Sequence, residues 1–317
     1  MAIPLGIRGR VIGLVMLPVA IIGVLLMFQL ITGKIDDLDQ SLRTRSVAIV
    51  RQLAPAAEYG VASGNIGVLQ TLLEKAAALS ETRLAVAVGV RAAESLAALP
   101  LRTPLLAVLV PRIWYVKTGR ARLSDGGRRG ASAIYLDQPF ERQAQLIRLA
   151  FPEVRRVGVL LGAEQSGLAG ELDEALRAQQ LGLAHGTVDR GERLIAPLEN
   201  VLSEADLLLA VPDPLVFNRN TAQSLFLTSY RYRVPVLGYS RSLTRAGALL
   251  SLHSSPAQIG RQTAEWVDHA LDGAPVRLPP PAHPAYFSIS INEQVARSLD
   301  FALPPEAELE KRLGGVR

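Results

Sequence analysis

Between residues 84 and 291, short apolar runs alternate with longer stretches whose leucines and alanines recur every three or four positions. Leu84–Val88, Leu105–Val110 and Val157–Leu161 are apolar with no polar alternation, the pattern of strands covered by helices on both faces. Further strands are expected at Ala133–Tyr135, Leu183–Val188, Leu207–Val211, Val234–Tyr239 and Phe287–Ile291. The periodic stretches predict helices over about Arg91–Leu99, Phe140–Phe151, Gln165–Gln180, Glu192–Leu202, Thr221–Tyr232 and Pro256–Leu271, followed by a helical terminus. Strand and helix in alternation argue for parallel sheets with crossover helices. Lys117–Gly130 combines Gly119, Gly126, Gly127 and Gly130 with five basic residues and reads as a loop. A proline-rich crossing follows at Pro279–Pro284.

The first 83 residues have a different pattern. No charge occurs from Val11 to Gly33, and at about 1.5 Å per residue this run crosses the roughly 30 Å hydrocarbon layer. A cleaved signal peptide is the rival reading. The run is longer than the roughly 7–15 residues of a signal h-region, and no A-x-A-like site follows, so an uncleaved anchor over 11–33 is expected behind a short cytoplasmic tail, 1–10. Arginines and lysines on both flanks leave the positive-inside bias indecisive. Ile35, Leu38, Leu42, Ile49 and Leu53 then recur at helical spacing between charged residues. This juxtamembrane segment, 34–83, reads either as a dimeric coiled coil or as a helix packing on its own domain.

Composition narrows the function classes. A chain of 317 residues, 49% hydrophobic and 20% charged, fills a core and has length for two domains. Its net charge of +5 is small and spread along the chain, and the basic loop lacks interleaved aromatics, which argues against nucleic acid. The absence of cysteine excludes disulfides, thiolate metal sites and a Cys nucleophile. His185, His253, His269 and His283 lack ligand spacing, and no P-loop or G-x-G-x-x-G is present, so neither a metal nor a cofactor is expected. Gly238-Tyr-Ser240-Arg-Ser242 departs from the nucleophile elbow at its last position, so no enzyme is expected.

Gln52-Leu-Ala-Pro-Ala-Ala-Glu-Tyr-Gly-Val-Ala-Ser-Gly-Asn65 resembles the membrane-proximal sensor segment of bacterial histidine kinases and diguanylate cyclases, without their output motifs. Residues 84–313 resemble an ABC-transporter substrate-binding protein of the type I periplasmic-binding fold. The carrying motifs are Ser132-Ala-Ile-Tyr-Leu-Asp-Gln-Pro139, Pro152-Glu-Val-Arg-Arg-Val-Gly-Val-Leu160, Leu209-Ala-Val-Pro-Asp-Pro214, Val234-Pro-Val-Leu-Gly-Tyr-Ser240, Ala246-Gly-Ala-Leu-Leu-Ser251 and Ile259-Gly-Arg-Gln-Thr-Ala264. The resemblance implies an α/β fold with two lobes joined by crossing strands. The near lobe would comprise 84–136 with 246–275, and the far lobe 137–245 with 276–317. Such proteins begin with further βα units, so the near lobe is expected to be incomplete, a stunted sheet of Leu84–Val88 and Leu105–Val110 with Leu249–Leu252. The implied function is binding of a small solute between the lobes without chemistry, for an ABC permease, on a single-pass inner-membrane protein whose main domain is periplasmic. The alternative is a sensory module in which the same domain biases the juxtamembrane helix in a homodimer or acts on a sensor partner.

In parallel sheets, ligands meet the loops at the carboxyl ends of strands. Asp213 and Asn218 follow the strand ending at Val211, where Asp213 would accept from an amine and Asn218 would cap the next helix. Ser240 and Ser242 leave the following strand end in the same direction. Arg112 after Leu105–Val110 is the candidate from the near lobe, and Tyr135 and Asp137 lie at the crossing between lobes as contact or hinge.

Overall fold

The computed structural model describes residues 83–189, 194–218, 220–272 and 275–314. The anchor expected over 11–33 and the juxtamembrane segment up to residue 82 lie outside the described residues, among which no helix is long and apolar enough to cross a membrane.

Strands β1 (Ala85–Val88), β2 (Leu105–Val110) and β3 (Ala131–Tyr135) form a parallel sheet in that order, with α1 (Val90–Ala97) between the first two. Leu106 and Val108 pack with Ile134 and Ile259, so strand alternation turns Leu105 and Ala107 to the opposite face. Beyond β2 the chain does not loop. It runs as α2 (Arg112–Trp114), a π-helical turn (Tyr115–Gly119) and α3 (Arg120–Ser124), and only 125–129 is a turn. The loop expected over Lys117–Gly130 is therefore corrected, and the reason is local. A Cβ on Gly119 would lie 2.6 Å from a Trp114 ring carbon, so the glycine admits an indole instead of breaking the helix.

The larger sheet contains β4 (Arg156–Gly162), β5 (Gly182–Val188), β6 (Leu207–Leu209), β7 (Val236–Gly238), β8 (Leu250–His253) and β9 (Ser288–Ile291) in the order β5-β4-β6-β7-β8-β9. All neighbours are parallel except β8 and β9. The helices between them are α4 (Phe140–Ala150), α5 (Leu168–Arg177), α6 (Ile195–Leu202), α7 (Ala222–Arg231), α8 (Arg241–Ala246) and α9 (Pro256–Leu271), and α10 (Glu293–Leu299) and α11 (Glu306–Arg312) follow β9. The unbroken apolar runs are explained by two cores. Val157, Val159 and Leu161 meet α4 and α5 on one face, and Leu160 and Leu208 meet α6 and α7 on the other. Leu250–His253 lies between β7 and β9, which overturns its expected place in the smaller sheet. Helix α9, started by Pro256 behind a Ser255–Gln258 capping box, returns to that sheet and lays Ile259, Trp266 and Val267 on it.

The approach of α6 to β4 leaves no room at Gly158, where a Cβ would meet Val201 at 2.6 Å and Ala205 at 2.9 Å. Gly158→Ala is expected to cost about 1–3 kcal/mol by overpacking. Thermal unfolding by circular dichroism would read this as a melting temperature lowered by several degrees.

Candidate functional site

Three chain crossings join the two sheets, and side chains bind them to one another. The first, residues 136–139, leads from β3 into α4. The second, Ser254 and Ser255, leads from β8 into α9. The third begins at Ala282, the first residue after three prolines that retains an N–H. That N–H donates to the Ala133 carbonyl at 2.9 Å, while Tyr135 N–H donates to the Ala282 carbonyl at 2.9 Å. Gln138 is buried at the meeting point. Its Nε2 donates to Ser254 Oγ (2.9 Å), and its Oε1 accepts from Arg142 Nη1 (2.6 Å), which also donates to the Pro284 carbonyl (2.9 Å). Ser254 Oγ in turn donates to the Tyr286 carbonyl at 2.6 Å. One glutamine thus links all three crossings through charge-assisted and neutral hydrogen bonds.

Beside this web lies a cavity of about 240 Å³. The smaller sheet contributes Arg112 and Ile113, and the crossings contribute Asp137, Gln138 and His283. The larger sheet closes it with Phe140, Glu141 and Gln143 of α4, Gln165 beyond β4, and Leu168 and Glu171 of α5. Val211 and Pro212 beyond β6, Tyr239 beyond β7 and Leu252 of β8 complete the wall. The position follows from topology. The chain goes from β4 outward to β5, then returns across β4 to β6, so the crevice outside the ends of β4 and β6 is where the strand order reverses.

On the opposite wall, Leu109 lies between the paired residues Val108 and Val110 with φ of 56°, a left-handed conformation inside a strand, and the register with β3 shifts there. Such a bulge costs about 1–3 kcal/mol and re-aims the chain that follows it. Here it delivers Arg112 to the cavity, where the guanidinium pairs with Glu171 of α5 and the backbone N–H donates to Asp137 Oδ2 at 2.5 Å. Lys117 Nζ donates to the Glu164 carbonyl, a second link between the two walls. Burial raises the Asp137 carboxyl above its ordinary pKa, opposed by the hydrogen bond from Arg112 N–H. Burial lowers the His283 imidazole pKa, and His283 Nδ1 lies 2.8 Å from the Asp137 carbonyl. Because a carbonyl only accepts, Nδ1 carries a proton, and in the neutral ring that burial favours Nε2 keeps its lone pair. Tyr239 is raised by burial and then by the negative charge of Asp213.

Of the six residues singled out in the sequence, Arg112 lines the cavity. Tyr135 lies behind it, edge-on to His283 with centroids 5.2 Å apart. The other four are not among the residues that line it. Asp213 is 3% exposed and accepts from Gly162 N–H (2.7 Å) and Leu215 N–H (2.9 Å). Asn218 Oδ1 accepts from Asn220 and Thr221 N–H ahead of α7, Ser240 caps α8 by accepting from Leu243 N–H, and Ser242 is exposed on that helix. Sequence reasoning passed over Gln138, Glu141, Gln165, Glu171 and His283. For Gln165 the available signal was its position just past the end of a central strand.

Two sheets joined by three crossings, with a cavity at the junction, define a two-lobed binding protein. The family whose description is ABC transporter substrate binding protein matches residues 56–310, and the chain belongs to it. That match begins inside the segment likened to a sensor. Three solved structures share the fold. A conserved domain protein from Vibrio cholerae has a TM-score of 0.56 at 19% identity, with 80% of this chain and 84% of that one covered. An ABC domain in complex with L-Trp from Streptococcus pneumonia has a TM-score of 0.54 at 16% identity, covering 80% and 87%. A substrate binding protein with adhesive properties from Clostridium difficile, in a ligand-free, open structure, has a TM-score of 0.59 at 17% identity, covering 76% and 81%. No curated protein matches the chain.

Proposed function

We propose that this chain is the extracytoplasmic solute-binding component of an ABC transporter, holding a small molecule in the cavity beside Gln138 without chemistry and presenting the closed form to a permease. The observation that carries the reading is the cavity itself, walled from both sheets at the reversal of strand order and flanked by a hydrogen-bonded hinge. Arg112 is the contact proposed from the smaller sheet; the membrane anchor proposed for 11–33 holds the domain at the inner membrane. On the same measure one water needs only roughly 10–15 Å³, so a cavity of about 240 Å³ has room for a small solute. Closure about the crossings is a hinge motion, with Arg112–Glu171 as an ion pair made across the gap.

The test is thermal shift of the full chain against amino acids, including the L-Trp held by the Streptococcus domain, together with sugars and aromatic acids. A binder at one hundred times its Kd adds about 2.7 kcal/mol of stability, so the melting temperature should climb with concentration. Gln138→Leu should reduce that shift by loosening the hinge. A folded chain unmoved by every compound would count against solute binding.

A further inference from the structure

Acceptor-only side chains outnumber donor-only ones in this cavity, Asp137, Glu141 and Glu171 against Arg112. Gln165 is 9% exposed, and its Nε2 donates to the Pro212 carbonyl at 3.2 Å, which fixes the amide orientation. Its buried Oε1 then has no hydrogen-bond partner among the described residues. A buried amide oxygen left this way costs about 1–3 kcal/mol unless something donates to it. In its neutral form, which burial favours, His283 keeps a lone pair on Nε2 while its Nδ1 proton goes to the Asp137 carbonyl. The Glu141 side chain, at the mouth, has no ion pair with a described residue.

The charges agree. Glu141 and Glu171 face the cavity against Arg112 alone, and that guanidinium is already paired with Glu171, so Glu141 is left unbalanced; burial shifts Asp137 toward its neutral form. An incoming carboxylate would have to share this guanidinium with Glu171 and face Glu141 as well. Phe140, Leu168, Val211 and Leu252 supply an apolar wall.

We infer that the solute is a net cation, an amine with an apolar body and no carboxylate, whose ammonium lies by Glu141 and draws the Gln165 amide oxygen, buried in this structure, into a hydrogen bond. This rests on the reading of the cavity as a solute site.

Matched triplets separate the two claims: phenethylamine, L-phenylalanine and 3-phenylpropionate, and tryptamine, L-tryptophan and indole-3-propionate, titrated calorimetrically into the full chain at neutral pH and low salt. The amine is expected to bind at least tenfold tighter than its zwitterion and anion. Gln165→Leu should weaken it about ten- to hundredfold, the loss of one hydrogen bond to a charged group. Glu141→Gln, at an exposed position that tolerates change, should weaken it severalfold, and less as salt rises. A zwitterion or anion binding tighter, with Gln165→Leu still weakening it, would overturn the cation and leave solute binding standing. Amine binding indifferent to both substitutions would place it elsewhere and overturn the inference. No binding by any member of either triplet would count against the cavity as a solute site and the inference alike.

Discussion

Arg129→Met is expected to unfold the half of the molecule built on the smaller sheet before the rest. Arg129 is 6% exposed, and its guanidinium meets only carbonyl oxygens: Leu123 at 2.6 Å, Leu101 at 2.9 Å, Ala97 at 3.0 Å, Leu99 and Arg122 at 3.4 Å. Ala97 ends α1 with Leu99 and Leu101 just beyond it, while Arg122 and Leu123 lie in the last turn of α3, so one side chain serves carbonyls at two helix C-termini and complements both dipoles. Methionine has comparable reach and no donor. It would take the side-chain donor from the Leu123, Leu101 and Ala97 carbonyls, while Leu99 and Arg122 keep backbone N–H partners, at a cost of about 3–5 kcal/mol. Lysine should recover only part of this, because a single ammonium cannot reproduce the planar fork. The two tryptophans of the chain, Trp114 and Trp266, both belong to this half, and Trp266 packs against its sheet. Their fluorescence in a denaturant titration of Arg129→Met should therefore shift well ahead of the far-ultraviolet circular dichroism. A variant within about 0.5 kcal/mol of the parent on both probes would refute the assignment.

The same residue shows where sequence patterning stops. Val157–Leu161 was legible as a strand because two cores demand apolar residues on both faces, and α9 was legible to the residue because Ser255, Pro256 and Gln258 signal its start. Glycine and arginine in Lys117–Gly130 suggested a loop, since composition does not reveal that Trp114 fills the space beside Gly119 or that carbonyls rather than water receive Arg129. Leu250–His253 was legible as a strand, yet its sheet depends on β9, which is remote in sequence and antiparallel. The site divides the same way. Strand ends located the cavity wall and Arg112. Whether a polar residue just beyond a strand turns into its loop or out into the crevice depends on which backbone N–H groups lack partners there. Asp213 and Gln165, both buried just past central strands, differ in this: Asp213 accepts two backbone N–H groups and stays off the cavity wall, whereas Gln165 donates to the Pro212 carbonyl and lines it.

That contrast gives the second prediction. Asp213 Oδ2 holds Gly162 N–H, Oδ1 holds Leu215 N–H, and a Cβ on Gly162 would lie 2.9 Å from Oδ2, so the carboxylate fills the space between the ends of β4 and β6. Asp213→Ala strands two backbone donors, one of them buried, and should cost about 2–4 kcal/mol in a denaturant titration. Asp213→Asn preserves one acceptor but points an amide donor at the other N–H, so it should fall between the two. Gln165 and Pro212 line the cavity from these same two loops and are bonded to each other, so loosening the clamp disperses the wall. Any bound solute should therefore weaken in proportion to the stability lost. A direct contact between Asp213 and solute predicts the opposite result: affinity abolished in Asp213→Asn with the unfolding midpoint unmoved. Measuring both quantities on the same variants decides whether this carboxylate holds the pocket or its contents.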